Sequence, residues 1–170
     1  WAVERRNFAA LTTRAALAWR ETLAQLEAEV VAAEAWLGGT WSGIAVHGQT
    51  DLILGLPGDR LLVVDYKRSK ATGRLKQMQK GFDSQASLYR AMIASGGPKD
   101  LDKRALAVRL RKAADTGVVY YLMNDQVALS DTLLPGAAAV PGWRVVDGDI
   151  AGQALDRIGA RAEAIAAYRA

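Results

Sequence analysis

The chain has 170 residues, a formal net charge of +4, 51% hydrophobic residues and 24% charged residues. This length and composition predict one folded domain with a sizeable core and exclude a disordered chain. The absence of cysteine excludes disulfides, cysteine-ligated zinc and iron–sulfur clusters, so any metal must be held by oxygen ligands, with His47 as the one available histidine. Because no apolar run reaches membrane-span length and no signal-peptide pattern is found, we expect a soluble, cytoplasmic protein.

A long helical region is predicted at the start of the chain. From Glu4 to Leu37 apolar residues recur near helical spacing without an internal Gly or Pro, and Gly38-Gly39 predicts the end of the helix. The first residue is Trp1 rather than an initiator methionine, and a helical pattern begins almost at once. We therefore expect a single domain, residues 1–170, that has been excised from a larger protein.

A β-hairpin is predicted from two runs rich in Val, Ile and Leu, 41–56 and 60–66, joined by a Pro-Gly-Asp turn. If the loop has three residues, counting outward places Asp51 directly opposite Asp65 on one face of the ribbon. A loop one residue longer or shorter would send the two acids to opposite faces.

The two acids of this hairpin predict a cation site. Directly paired positions have Cβ atoms about 4.5–5.5 Å apart, so Asp51 and Asp65 would repel each other. Lys67 shares their face but supplies a single positive charge. A divalent cation with oxygen ligands, Mg²⁺ or Mn²⁺, is the natural way to neutralise the pair.

A basic segment follows the hairpin. From Lys67 to Lys80 there are six bases and no acid, and we expect this segment to be a loop. Such a block is most often a solvated surface, but its position directly after the acidic pair favours contact with nucleic acid. The candidate nucleic-acid-binding residues are Arg68, Lys70, Arg74, Lys76 and Lys80.

The rest of the chain alternates between helical and strand patterns. Gln85 and Tyr89 are four residues apart within one predicted helix and therefore share a face. The predicted elements are a helix at 79–94, a strand at 105–110, a hairpin of strands 117–123 and 127–129, a loop at 134–142, and an amphipathic helix at 149–168 with Ile150, Leu155, Ile158 and Ile165 inward.

Three motifs occur in a fixed order along the chain: Gly-x-x-Asp at 48–51, Asp-Tyr-Lys at 65–67 and Gln-x-x-x-Tyr at 85–89. Their order on the predicted elements resembles the RecB-like exonucleases of the PD-(D/E)XK nuclease superfamily, over roughly Glu34 to Ile93. The resemblance implies an α/β fold with a restriction-endonuclease-like core, in which helices flank a central mixed β-sheet. A long N-terminal helical region and a C-terminal helix would complete it.

The resemblance also implies roles for the hairpin residues. Asp51 and Asp65 would ligate one or two Mg²⁺ (or Mn²⁺) ions, with the backbone carbonyl of Tyr66 as a further ligand. Lys67 would position or help to deprotonate the attacking water and offset the charge that develops on the phosphate. A phosphodiester repels nucleophiles, and metal ions shield that charge and lower the pKa of bound water.

Further candidates have competing interpretations. Gln85 and Tyr89 would lie beside the site and touch DNA or support the lysine, but Tyr89 could equally be a core tyrosine. Glu34 matches an acidic residue that family members often carry on a helix before the first strand, or it is a solvated glutamate. Family members also tend to have a histidine on an earlier helix, and no histidine precedes His47. We interpret His47 as a strand-edge or DNA-facing residue.

The leading hypothesis is a Mg²⁺-dependent deoxyribonuclease, an exonuclease more than an endonuclease, acting as one module of a DNA repair or recombination protein. Its partners would be DNA and a helicase domain or subunit of the same complex. One alternative is a catalytically incomplete DNA-binding or scaffolding domain of the same fold. Another is a basic adaptor domain in which the Asp-Tyr-Lys triplet is coincidental.

Overall fold

The fold is described by a computed structural model that covers residues 1–100, 103–131, 139–148 and 150–168. Within these residues, seven strands form one mixed sheet, as predicted, and helices lie on both of its faces. The helices are α1 (Ala2–Gln25), α2 (Ala71–Gln79), α3 (Gln85–Ser95), α4 (Arg104–Lys112) and α5 (Ile150–Tyr168). The strands are β1 (Glu29–Trp41), β2 (Ile44–Leu56), β3 (Arg60–Lys67), β4 (Gly97–Pro98), β5 (Asp115–Leu122), β6 (Val127–Ser130) and β7 (Trp143–Val145).

The strand order across the sheet is β4-β1-β2-β3-β5-β6-β7. The first three long strands, β1 to β3, form an antiparallel meander, and β5 then pairs with β3 in parallel after the chain has passed through α2, α3 and α4. The parallel partner completes the hydrogen bonding of β3, which lies at the centre of the sheet. Residues of β3 are therefore buried from Leu61 to Asp65.

Alternate residues of the central strands pack into two separate hydrophobic cores, one on each face of the sheet. Ile53, Leu61 and Val63 pack on one face, beneath α2, α3, α4 and the start of α5. Leu54 and Leu62 pack on the other face, beneath α1. This alternation follows from the two-residue repeat of a strand, and it places successive residues at the end of β3 on opposite faces of the sheet.

The prediction of helix as far as Leu37 is wrong, because α1 ends at Gln25 and residues 29–41 form β1. Ala35 and Leu37 are fully buried beneath α3, so burial on the sheet overrides the helix-favouring composition of this stretch. Gly39 permits the close approach of α3, since a Cβ there would lie 2.8 Å from Cα of Met92.

Two further elements differ from the sequence predictions. The basic segment is a helix, α2, rather than a loop; Met78 is buried, and the carboxylate of Asp125 accepts a 2.7 Å hydrogen bond from the N–H of Ala71 at its start. The predicted strand at 105–110 is the helix α4, in which Leu106 and Leu110 are buried one turn apart. The spacing of the apolar residues at 105–110 fits both the two-residue repeat of a strand and the 3.6-residue repeat of a helix. Contact with the sheet favours the helix.

The remaining predictions are mostly confirmed. Helix α3 begins at Gln85 rather than 79, the hairpin of β5 and β6 is confirmed, and α5 spans the predicted C-terminal helix, although Ile165 is exposed rather than inward. Asp149 and residues 134–138 of the predicted loop lie outside the described residues, and β7 was not predicted. No helix in the described part of the chain is long and apolar enough to cross a membrane.

Candidate active site

The β2–β3 hairpin has the predicted register. Leu56 pairs with Arg60, and the ladder continues inward as far as Leu52 and Val64. The turn is made by Gly58 and Asp59, both at positive φ. The next pair in this register would be Asp51 with Asp65, but the ladder ends before it. The two acids therefore lie at the point where β2 and β3 separate. The sequence instead predicts that they are directly paired within the hairpin.

Asp51 bridges this separation with its side chain. Its carboxylate oxygen Oδ2 accepts a hydrogen bond from the backbone N–H of Tyr66, at 2.6 Å. The Asp51 carboxylate thus accepts a hydrogen bond from a backbone N–H of β3 at the point where β2 no longer offers a backbone acceptor. Asp51 is half-buried, so its side chain is fixed to β3 while remaining accessible from an adjoining cleft.

Asp65 is the most buried acid of the site, with 3% of its surface exposed. Oδ1 accepts a 2.9 Å hydrogen bond from Nε2 of Gln85, and the ammonium of Lys67 lies 2.6 Å from Oδ2. Burial raises the pKa of the Asp65 carboxyl, because the charged form loses its hydration. Lys67 opposes this rise in pKa and the negative charge of Asp51 adds to it.

The Gln-x-x-x-Tyr motif on α3 connects both acidic strands. Nε2 of Gln85 also lies 3.0 Å from the hydroxyl of Tyr89, which donates a 2.5 Å hydrogen bond to the carbonyl of Gln49 on β2. The ring of Tyr89 packs beside Gly48, where a Cβ would lie 3.5 Å from it. Tyr89 is buried, so it is a core residue whose hydroxyl belongs to the hydrogen-bond network of the site.

Glu34 lies beside this centre, but on a strand. The predicted helix is absent there, and Glu34 is an exposed residue of β1 with φ of +49°. Its neighbours Ala33 and Ala35 pair with Leu52 and Thr50. Glu34 is thus placed opposite Asp51, and the two acids line the same open cleft of about 520 Å³, together with Ala33, Leu52 and Tyr66.

The donor set of the site suits a divalent cation. Asp51 and Asp65 offer carboxylate oxygens, the ligand type of Mg²⁺ and Mn²⁺. Among the described residues no well-directed hydrogen bond reaches the buried Oδ2 of Asp65. The Lys67 ammonium, 2.6 Å from that oxygen, is carried by a side chain that is 27% exposed. Within those same residues, no three His, Cys, Asp or Glu side chains converge tightly enough to form a metal-binding group by themselves.

The predicted nucleic-acid-binding residues divide into two kinds. The side chains of Lys76 on α2 and of Lys70 and Lys80 at its two ends are exposed. Arg68 is also exposed, and its guanidinium lies 5.0 Å from the centre of the Phe8 ring. Arg74 differs, because only 17% of its side chain is exposed and its guanidinium forms a 2.6 Å ion pair with Asp83. Arg74 is therefore already committed to a contact within the fold.

That contact belongs to a buried network that the sequence does not reveal. Tyr120 on β5 donates a 2.5 Å hydrogen bond to Oδ1 of Asp83 and accepts one of 3.0 Å from the N–H of Ala86. Arg74 stacks over the Tyr120 ring at 4.7 Å. The network fixes the start of α3, and so the position of Gln85 beside Asp65. Tyr120, Asp83 and Arg74 match no sequence motif, so the sequence does not predict this network.

The site therefore consists of two carboxylates and a lysine at the end of the central hairpin of an α/β sheet. A family model of the PD-(D/E)XK nuclease superfamily matches residues 1–162. The chain therefore belongs to the PD-(D/E)XK nuclease superfamily, with a restriction-endonuclease-like fold, and members of this superfamily generally use divalent metals. Comparison with curated proteins and with solved structures gives no match.

Proposed function

We propose that this chain is a metal-dependent deoxyribonuclease that hydrolyses phosphodiester bonds in the cleft beside Asp51. The observation that carries the proposal is the buried Asp65 carboxylate, which has a raised pKa and lies near a second carboxylate and the Lys67 ammonium. Burying acids this way costs stability unless a cation is bound. Asp51, Asp65 and the carbonyl of Tyr66 are the proposed ligands of Mg²⁺ or Mn²⁺.

The side chains around the metal ligands have distinct tasks in hydrolysis. A bound divalent cation supplies a Lewis acid that shields the phosphodiester and lowers the pKa of water. Lys67 orients the attacking water and offsets charge on the phosphate; attack at phosphorus breaks the bond to the leaving oxygen, leaving a phosphate and a hydroxyl end. Gln85 and the N–H of Tyr66 hold the Asp65 and Asp51 carboxylates in fixed orientations.

The exposed bases next to the site are the proposed DNA contacts. Lys76 lies on α2, Lys70 and Lys80 flank its two ends, and Arg68 directly follows the last residue of β3. Their charges would bind backbone phosphates without reading the base sequence. Arg74 contributes to the same positive field while its guanidinium remains paired with Asp83.

The finer assignment is a RecB-like exonuclease module of an intracellular repair or recombination protein, working with a helicase domain or subunit. Support comes from the order of the three motifs and from their contacts, since the hydroxyl of Tyr89 bonds to Gln49 and Gln85 bonds to Asp65. The second candidate is a catalytically incomplete DNA-binding domain. It is favoured by the absence of a converged three-ligand group among the residues that the structure describes.

The two candidates are separated by a cleavage assay on labelled single-stranded and duplex DNA with Mg²⁺, Mn²⁺ or chelator. The nuclease cleaves with metal, stops with chelator, and loses at least about 100-fold of its rate in Lys67→Ala. Lys112→Ala, which removes an exposed lysine that does not line the cleft of Asp51, retains the rate. Binding of DNA without cleavage under every metal condition would support the scaffolding candidate and contradict the nuclease.

A further inference from the structure

The strands β1 and β2 extend past the acidic site as a two-stranded ribbon. β2 pairs with β3 only over residues 52–56, whereas it remains paired with β1 as far as the turn at 42–43. Leu37 of β1 is buried beneath α3. Its neighbours Trp36 and Gly38 therefore face away from α3, because successive residues of a strand point to opposite faces.

Three further residues share this outward face of the ribbon or border it. The register pairs Trp36 with Gln49 and Gly38 with His47, and directly paired residues point to the same face. From the other side, the N–H of Lys99 donates a 2.9 Å hydrogen bond to the carbonyl of Trp36. We call these five residues the ribbon patch. Its four side chains, those of Trp36, His47, Gln49 and Lys99, belong to exposed residues.

The ribbon patch contains an aromatic ring that is open to solvent. Trp36 is 43% exposed, in contrast to Trp19, which is 6% exposed and packs within the core. The ring of His47 lies 6.3 Å from that of Trp36, at an angle of 39°. The patch thus offers a stacking surface of the kind that binds unpaired bases, which is tolerant of base identity because every base has a π-face.

Lys99 brings a positive charge to the same face. A Cβ on Gly38 would lie 3.0 Å from Cγ and 3.2 Å from Cδ of Lys99, so the absence of a side chain at Gly38 lets the lysine stem lie across the ribbon. No ion pair among the described residues involves Lys99. Its ammonium can therefore pair with a backbone phosphate.

The ribbon patch adjoins the acidic cleft. Two residues along each strand separate Trp36 from Glu34 and Gln49 from Asp51, which is about 7 Å in an extended strand. Nε2 of Gln49 also donates a 3.2 Å hydrogen bond to the carbonyl of Glu34. A nucleotide on the patch would thus be a neighbour of the phosphate in the cleft.

We infer that the ribbon patch binds an unpaired nucleotide next to the scissile phosphate, with its base stacked on Trp36 and its phosphate paired with Lys99. This inference rests on the proposed function and deepens it, because only an unpaired base can expose its face to the ring. The substrate is accordingly a single strand, or a duplex end with at least one frayed nucleotide. A blunt duplex has to open before its base reaches Trp36.

The test removes the ring and the charge separately. Trp36→Ala removes the stacking surface, Trp36→Phe keeps an aromatic ring, and Lys99→Gln removes the charge. Tyr168→Ala is the matched control, because Tyr168 is 94% exposed and ends α5, which packs on the α3 side of the sheet. Binding is measured in chelator, without cleavage, to a fluorescent single strand, to an abasic strand of equal length and to a blunt duplex.

The wild type and Tyr168→Ala should bind the base-bearing strand about tenfold more tightly than the abasic strand. Trp36→Ala should lose this preference and bind the blunt duplex as the wild type does, while Trp36→Phe should keep most of the preference. Thermal unfolding should confirm that both variants are folded. Lys99→Gln should keep the preference and reduce the slope of log K against log salt by about 0.7 for the single strand.

Equal affinity of the wild type for the base-bearing and abasic strands would overturn the inference, as would an unchanged preference in Trp36→Ala. An unchanged salt slope in Lys99→Gln would overturn the assignment of the phosphate to Lys99. Absence of metal-dependent cleavage, by contrast, would contradict the proposed function and leave these binding results intact.

Discussion

The backbone N–H of Tyr66 donates a 2.6 Å hydrogen bond to Oδ2 of Asp51. This single contact fixes an acid of β2 to the next strand at the point where the β2–β3 ladder ends. The residue before Tyr66, Asp65, is buried on the side of α3 and accepts its own hydrogen bond from Gln85. The two carboxylates are therefore positioned by donors from different elements, and each can be tested separately.

The role of Glu34 is tested by comparison with Glu27. Both glutamates are exposed and have φ close to +50°, but only Glu34 lines the cleft of Asp51. We expect Glu34→Gln to raise the Mn²⁺ concentration for half-maximal cleavage by about tenfold, the size typical for loss of a group that supports metal ligands. Glu27→Gln should leave it unchanged. Equal metal dependence of the two variants would assign Glu34 to the solvated surface.

The raised pKa of Asp65 predicts that this acid destabilises the metal-free fold. Its pKa is near 3.8 when unfolded and higher when folded, so the unfolded state ionises more readily. The cost is complete above the folded pKa and disappears as the pH falls through it towards 3.8. Metal-free Asp65→Asn should therefore melt at a higher temperature than the wild type at pH 7, with the difference shrinking on acidification.

Thermal unfolding from pH 4 to pH 8 in chelator measures this effect. The control is Asp59→Asn, since Asp59 is an exposed turn residue at positive φ, a conformation that Asn tolerates. Its melting temperature should follow that of the wild type across the pH range. A metal-free Asp65→Asn protein that is less stable than the wild type at pH 7 would show that the Lys67 ion pair outweighs burial.

The buried Tyr120 network should contribute to both stability and catalysis. Tyr120→Phe removes the donor to Asp83 and the acceptor for the Ala86 N–H, and leaves Asp83 buried with Arg74 alone. A loss of about 1–3 kcal/mol is expected in urea unfolding. Tyr168→Phe, at a tyrosine that is 94% exposed, should cost nothing measurable.

A second measurement on Tyr120→Phe separates positioning from stability. Because Tyr120 bonds to the start of α3, the variant should cleave more slowly even at a temperature where it is fully folded. Its DNA affinity in chelator should be unchanged, since no exposed base is altered. Wild-type cleavage by the folded variant would restrict the network to a structural role.

The exposed lysines on α2 and at its two ends should contribute to DNA affinity through charge alone. Lys70→Ala, Lys76→Ala and Lys80→Ala should each weaken binding equally for different sequences and reduce the slope of log K against log salt by about 1. Arg74→Ala should instead destabilise the fold, because it deprives the buried Asp83 of its ion pair. A salt slope that none of the lysine variants changes would place the DNA elsewhere.

The hairpin was predictable because its determinants are local. The turn at 57–59 sets the register by chain geometry, and the apolar runs beside it are long enough to be recognised as strands. The end of the ladder before Asp51 was not predictable, because it depends on how β2 diverges from β3 to remain paired with β1. A sequence pattern predicts which residues of two strands pair only as far as those two strands remain hydrogen-bonded to each other.

The errors in the fold have a common physical cause. Residues 29–37 contain alanines, valines and glutamates that are compatible with a helix, and they form β1 because Ala35 and Leu37 are buried against α3. Residues 104–112 form a helix because Leu106 and Leu110 bury together. In both segments a distant element decides the conformation, and local propensity is too weak to oppose it.

We propose that Asp65 and its neighbours form a metal-dependent nuclease site. Its most direct test is the rate of Mn²⁺-dependent cleavage of a labelled single strand by the wild type, Asp65→Asn and the matched Asp59→Asn. The wild type and Asp59→Asn should cleave the strand, and the cleavage rate of Asp65→Asn should be at least about 100-fold lower. Equal cleavage by Asp65→Asn and the wild type would contradict it.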